Sequence, residues 1–512
     1  MTVGTLAALI LTEDGYGYAI DEATYRWVAE ESRQWSAELG QPSLRESLSL
    51  FRIQDRCHFL EPPGSRPGQP HSNFNLPASI HVLNVGWALG GWREGELPRL
   101  RFGSELLFAV TLGGIVWRLS AREGLFPAVG AALGVLLCPR VFGHAHLAAT
   151  ETTLVCFWLW AVICIVGVVE GRATMFAAAA ALGLLAATKL TAWPACAMML
   201  VWAVWRSPGR RIKLTFWLTV GSAAIVYLLT PNLWHEPIAG LKRYLEQAGS
   251  NPWKIAAYFG GRTYAQGMPW YSGVATLFAT TPIAVMVLAF CSLSRIRTDK
   301  LVAVLWLNVL LLMAMRTGGL VPAHDGERQF LPAMAMMGVL AGLQGARYAL
   351  AWSNSRKTIA TIIGAVFMAM PAYDSWLHRG HALCYFNRAV GRLKGAEALG
   401  FEVSYWFEAM TNEEWKRMLE PLPERSKVFL RPDHPGIPEL LKWGVIPKHV
   451  TIVGAPEEAG YFLLYAKRAA YWTPSPDGKL MVRTDLADMQ AKGQAIREVR
   501  FGGVRLASLH RR

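Results

Sequence analysis

Apolar blocks alternate with polar segments through the first 375 residues of the chain. A charge at the centre of a bilayer costs at least ~2.5 kcal/mol, so blocks with almost charge-free interiors are typical of membrane-spanning helices. Such blocks lie at 101–117, 124–138, 151–169, 173–188, 190–205, 214–230, 271–293, 301–315, 329–346 and 358–373. A weaker block at 2–20, interrupted by Glu13 and Asp14, brings the prediction to about eleven transmembrane helices.

After residue 375 the charge rises and the long apolar blocks end. Helical patterns at 387–399 and 411–420 precede short runs that are typical of strands. These runs lie at 427–430, 449–453, 461–466, 479–483 and 497–508. We therefore predict an α-helical polytopic transmembrane domain, residues 1–375, followed by a soluble α/β domain, residues 376–512.

Basic residues fall in alternate loops of the transmembrane domain. Counted along the chain, all of these loops lie on one side, which the positive-inside rule makes cytoplasmic. Their residues are Arg118 and Arg122; Arg206, Arg210, Arg211 and Lys213; Arg295, Arg297 and Lys300; and Arg347, Arg356 and Lys357. The long first loop, about 21–100, and the C-terminal domain then lie on the extracytoplasmic side. The net charge of +14 indicates loop charge that sets membrane orientation, together with attraction to anionic lipid headgroups or phosphorylated substrates, rather than binding of nucleic acid.

Cysteine usage gives no sign of a metal site or a disulfide framework. Five of the seven cysteines lie in apolar blocks, and no CxxC occurs. His144 and His146 have no obvious third ligand nearby. We predict no cofactor and no resident metal, with a divalent ion left as an open alternative.

Several acidic and basic residues stand where predicted spans meet the outer side. Asp21 and Glu22 follow the weak first block, Glu151 opens the span 151–169, and Lys189 lies between two spans. A carboxylate there could act as a general base, and Lys189 could bind a phosphate. The alternative is structural: acids at helix starts and a lysine whose amine reaches towards the interface.

Two outer loops carry further polar and aromatic side chains. One contains Arg262, Tyr264, Trp270 and Tyr271, and the other contains His324, Asp325, Glu327 and Arg328. The loops could line a substrate cavity. They could equally form an aromatic belt and a set of interfacial charges.

Seven segments, taken in order, resemble a known family. They are the Asp21-Glu22 pair with Tyr25, and residues 97–108, 144–153, 184–192, 258–272, 325–335 and 386–410. The chain thereby resembles the C-type glycosyltransferases that use polyprenyl-phosphate sugars, in particular the bacterial family-39 group related to protein O-mannosyltransferases and aminoarabinose transferases. It departs from the aminoarabinose transferases at Thr24, where they carry Arg, and Glu151 replaces the more usual Asp.

The resemblance implies an inner-membrane enzyme that moves a sugar from a polyprenyl-phosphate donor to a lipid, glycan or protein acceptor on the periplasmic face. Catalysis would fall to Asp21, Glu22 and Glu151, with Asp21 taking or orienting the acceptor proton. The donor phosphate would bind Lys189, Arg262 and Arg328. The substrate cavity would be lined by Tyr25, His146, Tyr264, Trp270, Tyr271, His324 and Asp325.

The main alternative is a transporter or flippase of a lipid-linked glycan. Transporters place charges and broken helices near the middle of the membrane. Here the predicted span centres are free of charge and the polar groups lie in outer loops, which favours the enzyme. No Walker A motif is present to drive nucleotide-dependent pumping. A scaffold that acts through the outer α/β domain is a third interpretation.

Overall fold

The computed structural model describes most of the chain. The described residues are 1–39, 75–234, 237–250, 255–265, 267–324, 326–351, 369–406, 410–431, 436–474, 480–482 and 495–512. Residues 40–74 of the predicted first outer loop lie outside them, as do Asp325 and most of the predicted span 358–373.

Helices account for most of the described residues before 352. They are α1 Thr2–Thr12, α2 Ile20–Leu39, α3 Ala78–Leu89, α4 Glu96–Glu123, α5 Leu125–Leu136, α6 Pro139–Ala145, α7 Thr150–Val169, α8 Met175–Ala186, α9 Trp193–Trp205, α10 Arg211–Leu229, α11 Pro237–Ser250, α12 Ser272–Thr280, α13 Ile283–Cys291, α14 Lys300–Thr317 and α15 Leu331–Ala351. A short hairpin, β1 Ala257–Phe259 and β2 Arg262–Tyr264, interrupts the series.

Among the described helices, four are long and apolar enough to cross a membrane. They are α4, α7, α10 with its preceding turn, and α14. Up to six spans result if the bent pairs α5–α6 (77°) and α12–α13 (112°) each count as one. The predicted count of about eleven is therefore not confirmed. One reason is that the predicted spans 124–138 and 271–293 fall in these bent pairs instead of in single long helices. Pro139 and Pro282 stand at the breaks, where proline interrupts helical hydrogen bonding.

Glycines allow α5 and α15 to pack with their backbones nearly touching. A Cβ added to Gly134 would overlap the carbonyl oxygen of Gly338, and one added to Gly342 would overlap that of Gly130. Small residues spaced four apart permit this close approach between apolar helices, where van der Waals contact drives association. α7 lies against both α4 and α15 and is buried almost throughout.

Ion pairs gather the basic loops at one end of the helices. Arg122 contacts Glu170 and Asp299, each at 2.9 Å, and Arg347 lies 2.6 Å from Asp299. Arg210 donates to the carbonyl of Val168 at 3.1 Å. These contacts bring together loops that the sequence analysis assigned to one side of the membrane.

The C-terminal domain contains a five-stranded sheet in the order β4-β3-β5-β9-β8. Its described elements are α16 Arg392–Ala398, α17 Asn412–Leu419, β3 Ser426–Arg431, α18 Ile437–Lys442, β4 Val450–Val453, β5 Tyr461–Tyr465, β6 Trp472–Pro474, β7 Leu480–Val482, β8 Ala495–Phe501 and β9 Val504–Arg511. β3 is parallel to β4 and β5, whereas β9 is antiparallel to β5 and β8. The predicted mixture of helices and strands is confirmed.

One predicted strand of this domain is two strands. The run 497–508 turns at Gly502 and Gly503, whose φ angles of 54° and 81° lie in the region that glycine adopts without steric cost. The turn converts one apolar run into the β8–β9 hairpin.

Asn387 joins the C-terminal domain to the helical part. Its side-chain amide donates to the carbonyls of Phe278 and Thr281, at 2.5 and 2.9 Å, where α12 bends into α13. The bend exposes carbonyls that an unbroken helix would use itself. The domain therefore docks on the helical part through a fixed hydrogen-bonded contact.

The glycine contact predicts which small residue of α15 cannot be enlarged. Gly342→Ala should destabilise the protein by about 1–3 kcal/mol, because the new methyl group would overlap the backbone of Gly130. Gly345→Ala, on the same helix, is the matched control, since its Cβ would meet only the end of the Leu288 side chain at 3.3 Å. Thermal unfolding in detergent would measure both variants, and equal melting temperatures would contradict the packing described here.

Candidate functional site

Four charged residues from four separate segments meet at one end of the helices. Asp21 and Glu151 stand in the first turns of α2 and α7. Lys189 lies in the extended break between α8 and α9, and Arg328 begins the turn that leads into α15. Helix starts suit carboxylates because the N-terminal end of the helix dipole is positive. We call Asp21, Glu151, Lys189 and Arg328 the charged site.

Glu151 lies between the two cations of the charged site. Its Oε1 atom is 3.5 Å from Nη1 of Arg328 and 3.7 Å from Nζ of Lys189. The same Nη1 atom of Arg328 donates to Oδ2 of Asp21 at 2.6 Å. Lys189 also donates to the side-chain oxygen of Gln329 at 3.0 Å. Arg328 thus connects the two carboxylates.

Exposure differs sharply across the charged site. The Glu151 side chain is 1% exposed, Arg328 10%, Lys189 14% and Asp21 33%. Neither carboxylate oxygen of Glu151 accepts a hydrogen bond from a described residue, so its negative charge acts on the two cations through space. Asp21 is the group most accessible to an incoming molecule.

Tyr25 lies one turn along α2 from Asp21. Its hydroxyl accepts a hydrogen bond from the side chain of Asn75 at 2.9 Å. Burial, together with the carboxylates of Glu151 and Asp21, raises the pKa of Tyr25 well above its ordinary value. The hydroxyl therefore stays protonated near neutral pH.

The C-terminal domain supplies one wall of the charged site. The guanidinium carbon of Arg328 lies 4.8 Å from the ring centre of Trp406. The neighbouring Tyr405 donates its hydroxyl hydrogen bond to Glu327 at 2.8 Å, and Glu327 pairs with the buried Arg140. The site thus depends on residues from both parts of the chain.

Sequence reasoning missed Arg140, Gln329, Tyr405 and Trp406 as site residues, and it noted Glu327 only as a charge in the same outer loop as Arg328. Glu327 and Gln329 flank Arg328, and Tyr405 and Trp406 fall within a segment that carries the family resemblance. For Glu327 and Gln329 the available signal was their position beside Arg328 in the sequence. For Tyr405 and Trp406 it was the family resemblance of the segment 386–410. Arg140 had none, because nothing in its local sequence indicates the distant partner Glu327.

Glu22 belongs to a different network from its neighbour Asp21. Its carboxylate accepts two hydrogen bonds from Arg101, at 2.8 and 2.7 Å, and others from the backbone amides of Ala148 and Ala19. Consecutive residues on a helix point about 100° apart, which separates the two acids. The contacts give Glu22 a structural role, and a catalytic role for it stays a prediction.

His146 also lies in another network. Its ring stacks on Tyr16 with the ring centres 4.0 Å apart. Its Nε2 atom is 2.8 Å from Thr12 Oγ1, and its Nδ1 atom is 2.8 Å from the Phe142 carbonyl oxygen. Among the described residues, no three His, Cys, Asp or Glu side chains are grouped as a metal site would require.

The remaining predicted residues lie around a neighbouring cleft or on the surface. His324 lines a cleft of about 540 Å³, open mouth included, together with Glu327 and Tyr405.

Arg262 and Tyr264 lie on the β1–β2 hairpin, whose Gly261 amide donates to the carbonyl of Gly400 at 3.3 Å. Trp270 and Tyr271 are exposed and pack edge to face. The described contacts join none of the last four to the charged site. Asp325 is outside the described residues.

The fold and the site together define an integral membrane protein with a charged, partly open site at the ends of its apolar helices. No family model matches the sequence, and no curated protein matches it.

Two solved structures are similar over most of the chain. One is ArnT from Cupriavidus metallidurans bound to undecaprenyl phosphate, at 12% identity and a TM-score of 0.48. The other is the same protein in the apo state, at 13% identity and a TM-score of 0.49. Each alignment covers 99% of this chain and 97% of the other. TM-scores this low do not establish a shared fold, so the function is inferred from the residues of this chain.

The separation of the two adjacent acids predicts different costs of replacing them. Glu22→Gln should destabilise the protein by about 3–5 kcal/mol, because buried Arg101 loses its charged partner. Asp21→Asn should cost less than ~1 kcal/mol, because Asp21 is partly exposed. Thermal unfolding of both variants in detergent measures the difference. A Glu22→Gln protein as stable as the wild type would show that the Glu22–Arg101 pair does not hold α2 in place.

Proposed function

We propose that this protein is a membrane glycosyltransferase that moves a sugar from a polyprenyl-phosphate donor to a hydroxyl group of an acceptor. The observation that carries the proposal is the charged site, where two cations flank the buried Glu151 and one of them, Arg328, pairs with the partly exposed Asp21. A lipid-linked sugar phosphate needs an apolar surface for its chain and cations for its phosphate. The same place must offer a base for the acceptor.

Lys189 and Arg328 are suited to binding the phosphate. Arg presents a planar fork that matches phosphate oxygens, and Lys supplies a compact point charge. In the structure Arg328 pairs with Asp21 at 2.6 Å. A phosphate that takes over Arg328 would release Asp21 for the acceptor, while buried Glu151 keeps both cations in position. Arg262 remains a proposed phosphate ligand only if the β1–β2 hairpin moves.

The reaction follows from these roles. The acceptor oxygen attacks the anomeric carbon while the bond from that carbon to the phosphate oxygen breaks. The bond's electron pair leaves on the phosphate, where Lys189 and Arg328 stabilise it. The acceptor proton passes to the Asp21 carboxylate. The products are polyprenyl phosphate and a glycoside with inverted anomeric configuration.

We place the site on the extracytoplasmic face of a bacterial inner membrane. The basic loops meet at one end of the helices, and the positive-inside rule assigns that end to the cytoplasm. The charged site and Trp406 of the C-terminal domain belong to the outer loops of that topology. The acceptor is a lipid, a glycan or a protein, and no step requires a metal.

The alternative is a transporter or flippase of a lipid-linked glycan. It is favoured by the two bent helix pairs, since broken helices line the substrate sites of many transporters. Reconstituted vesicles separate the two functions. Movement of a labelled lipid-linked sugar between leaflets, without release of prenyl phosphate, would support the flippase.

The direct test uses purified protein with labelled polyprenyl-phosphate sugars and measures released polyprenyl phosphate. The same assay in right-side-out vesicles, with a membrane-impermeant acceptor added outside, tests the assigned face. Release from the wild-type protein that depends on the acceptor is the expected result. If no donor in the set is turned over, the proposed function fails.

Replacing Asp21 should abolish transfer without unfolding the protein. Asp21→Asn keeps the shape of the side chain but cannot accept the acceptor proton, so kcat should fall by ~10²–10⁴-fold. Glu22→Gln, assayed at a temperature where it is folded, should reduce kcat much less. Near-normal turnover by Asp21→Asn, with unchanged expression and donor binding, would remove Asp21 from the mechanism.

The charge of Lys189 should matter more than its shape. Lys189→Ala should raise the donor KM by about 10- to 100-fold, because a charged contact to the phosphate is lost. Lys189→Arg retains the charge and should be milder. If both variants show wild-type kinetics, Lys189 serves only as an interfacial charge.

A further inference from the structure

Two consecutive residues of the C-terminal domain hold two consecutive residues of an outer loop of the helical part. The Tyr405 hydroxyl donates to Glu327 at 2.8 Å, and the Trp406 ring lies 4.8 Å from the guanidinium carbon of the next residue, Arg328. Trp406 is fully buried. The contact therefore joins the buried interior of the C-terminal domain to the charged site.

Trp406 is itself fixed from a second direction. The ring centres of His144 and Trp406 are 5.3 Å apart, and His144 Nε2 is 3.2 Å from the Tyr405 hydroxyl oxygen. Arg140, which pairs with Glu327, lies on the same short helix, α6, as His144. These contacts hold the indole ring in place beside Arg328.

Arg328 needs such a support because two carboxylates compete for it. Its Nη1 atom lies 2.6 Å from Asp21 and 3.5 Å from Glu151. An arginine side chain has several rotatable bonds, and fixing them costs entropy. An aromatic face attracts the guanidinium and restricts its orientation, and Trp is the strongest such partner.

We propose that Trp406 is a positioning residue that orients Arg328 towards the donor phosphate, so that the C-terminal domain forms part of the phosphate-binding site. This inference rests on the proposed function. Trp406 acts through Arg328 and does not itself touch the reacting atoms.

The test measures binding of undecaprenyl phosphate to detergent-purified full-length protein and its Trp406 variants. Trp406→Leu removes the aromatic face and should weaken binding roughly 3- to 30-fold, whereas Trp406→Phe keeps a ring and should lose less. In turnover assays the donor KM should rise while kcat changes little. If Trp406→Leu does not fold, Trp406→Met, which also removes the aromatic face, takes its place, and wild-type affinity in it overturns the proposal.

A double-mutant cycle identifies Arg328 as the partner. In an Arg328→Gln background, Trp406→Leu should cause no further loss of affinity, because the cation that the ring orients is gone. An equal loss in both backgrounds would mean that Trp406 acts only through stability, which overturns the inference.

Trp415→Leu is the matched control. Trp415 is also fully buried in the C-terminal domain, but its ring packs against Tyr465, with the ring centres 6.0 Å apart. The variant should lower the melting temperature and leave the affinity of the folded protein unchanged. If wild-type protein does not bind undecaprenyl phosphate, the proposed function fails. If it binds and the Trp406 variants bind equally well, only the positioning role fails.

Discussion

The charged site depends on a buried carboxylate, Glu151, that is held between Arg328 and Lys189. An unpaired charge at this depth would cost several kcal/mol, so the ion pairs of Glu151 favour keeping α7, the α8–α9 break and the start of α15 together. The two cations are in turn fixed where a phosphate could reach them. One electrostatic requirement thus links the packing of three segments to the chemistry that we propose.

A second buried pair, Glu22 with Arg101, secures the remaining segment. It ties α2 to α4, and the Ala148 amide that Glu22 also binds lies just before α7. Asp21 lies on the same turn of α2, points about 100° away from Glu22, and accepts a hydrogen bond from Arg328. The structural acid therefore positions the acid to which we assign the chemistry, and this explains why two adjacent carboxylates differ so much in exposure.

Breaks in the helices place the C-terminal domain against this site. Asn387 binds the carbonyls freed at the α12–α13 bend, and Trp406 reaches Arg328. Close glycine contacts hold α15, which begins three residues after Arg328, against α5, and α15 also packs on α7. The C-terminal domain therefore contacts both the α12–α13 bend and the charged site directly.

The sequence by itself determined the apolar helices, the common end of the basic loops and the mixed character of the C-terminal domain. These features follow from local hydropathy and charge, because the cost of burying a charge acts residue by residue. It also singled out Asp21, Glu151, Lys189 and Arg328 as polar groups at span ends. Only the tertiary structure decided that these four meet, that Glu22 and His146 belong to other networks, and that Arg140 and Trp406 support the site. Such pairings join residues far apart in the chain, as Arg101 with Glu22 or Trp406 with Arg328, and local patterns carry no information about which distant partner satisfies a buried charge.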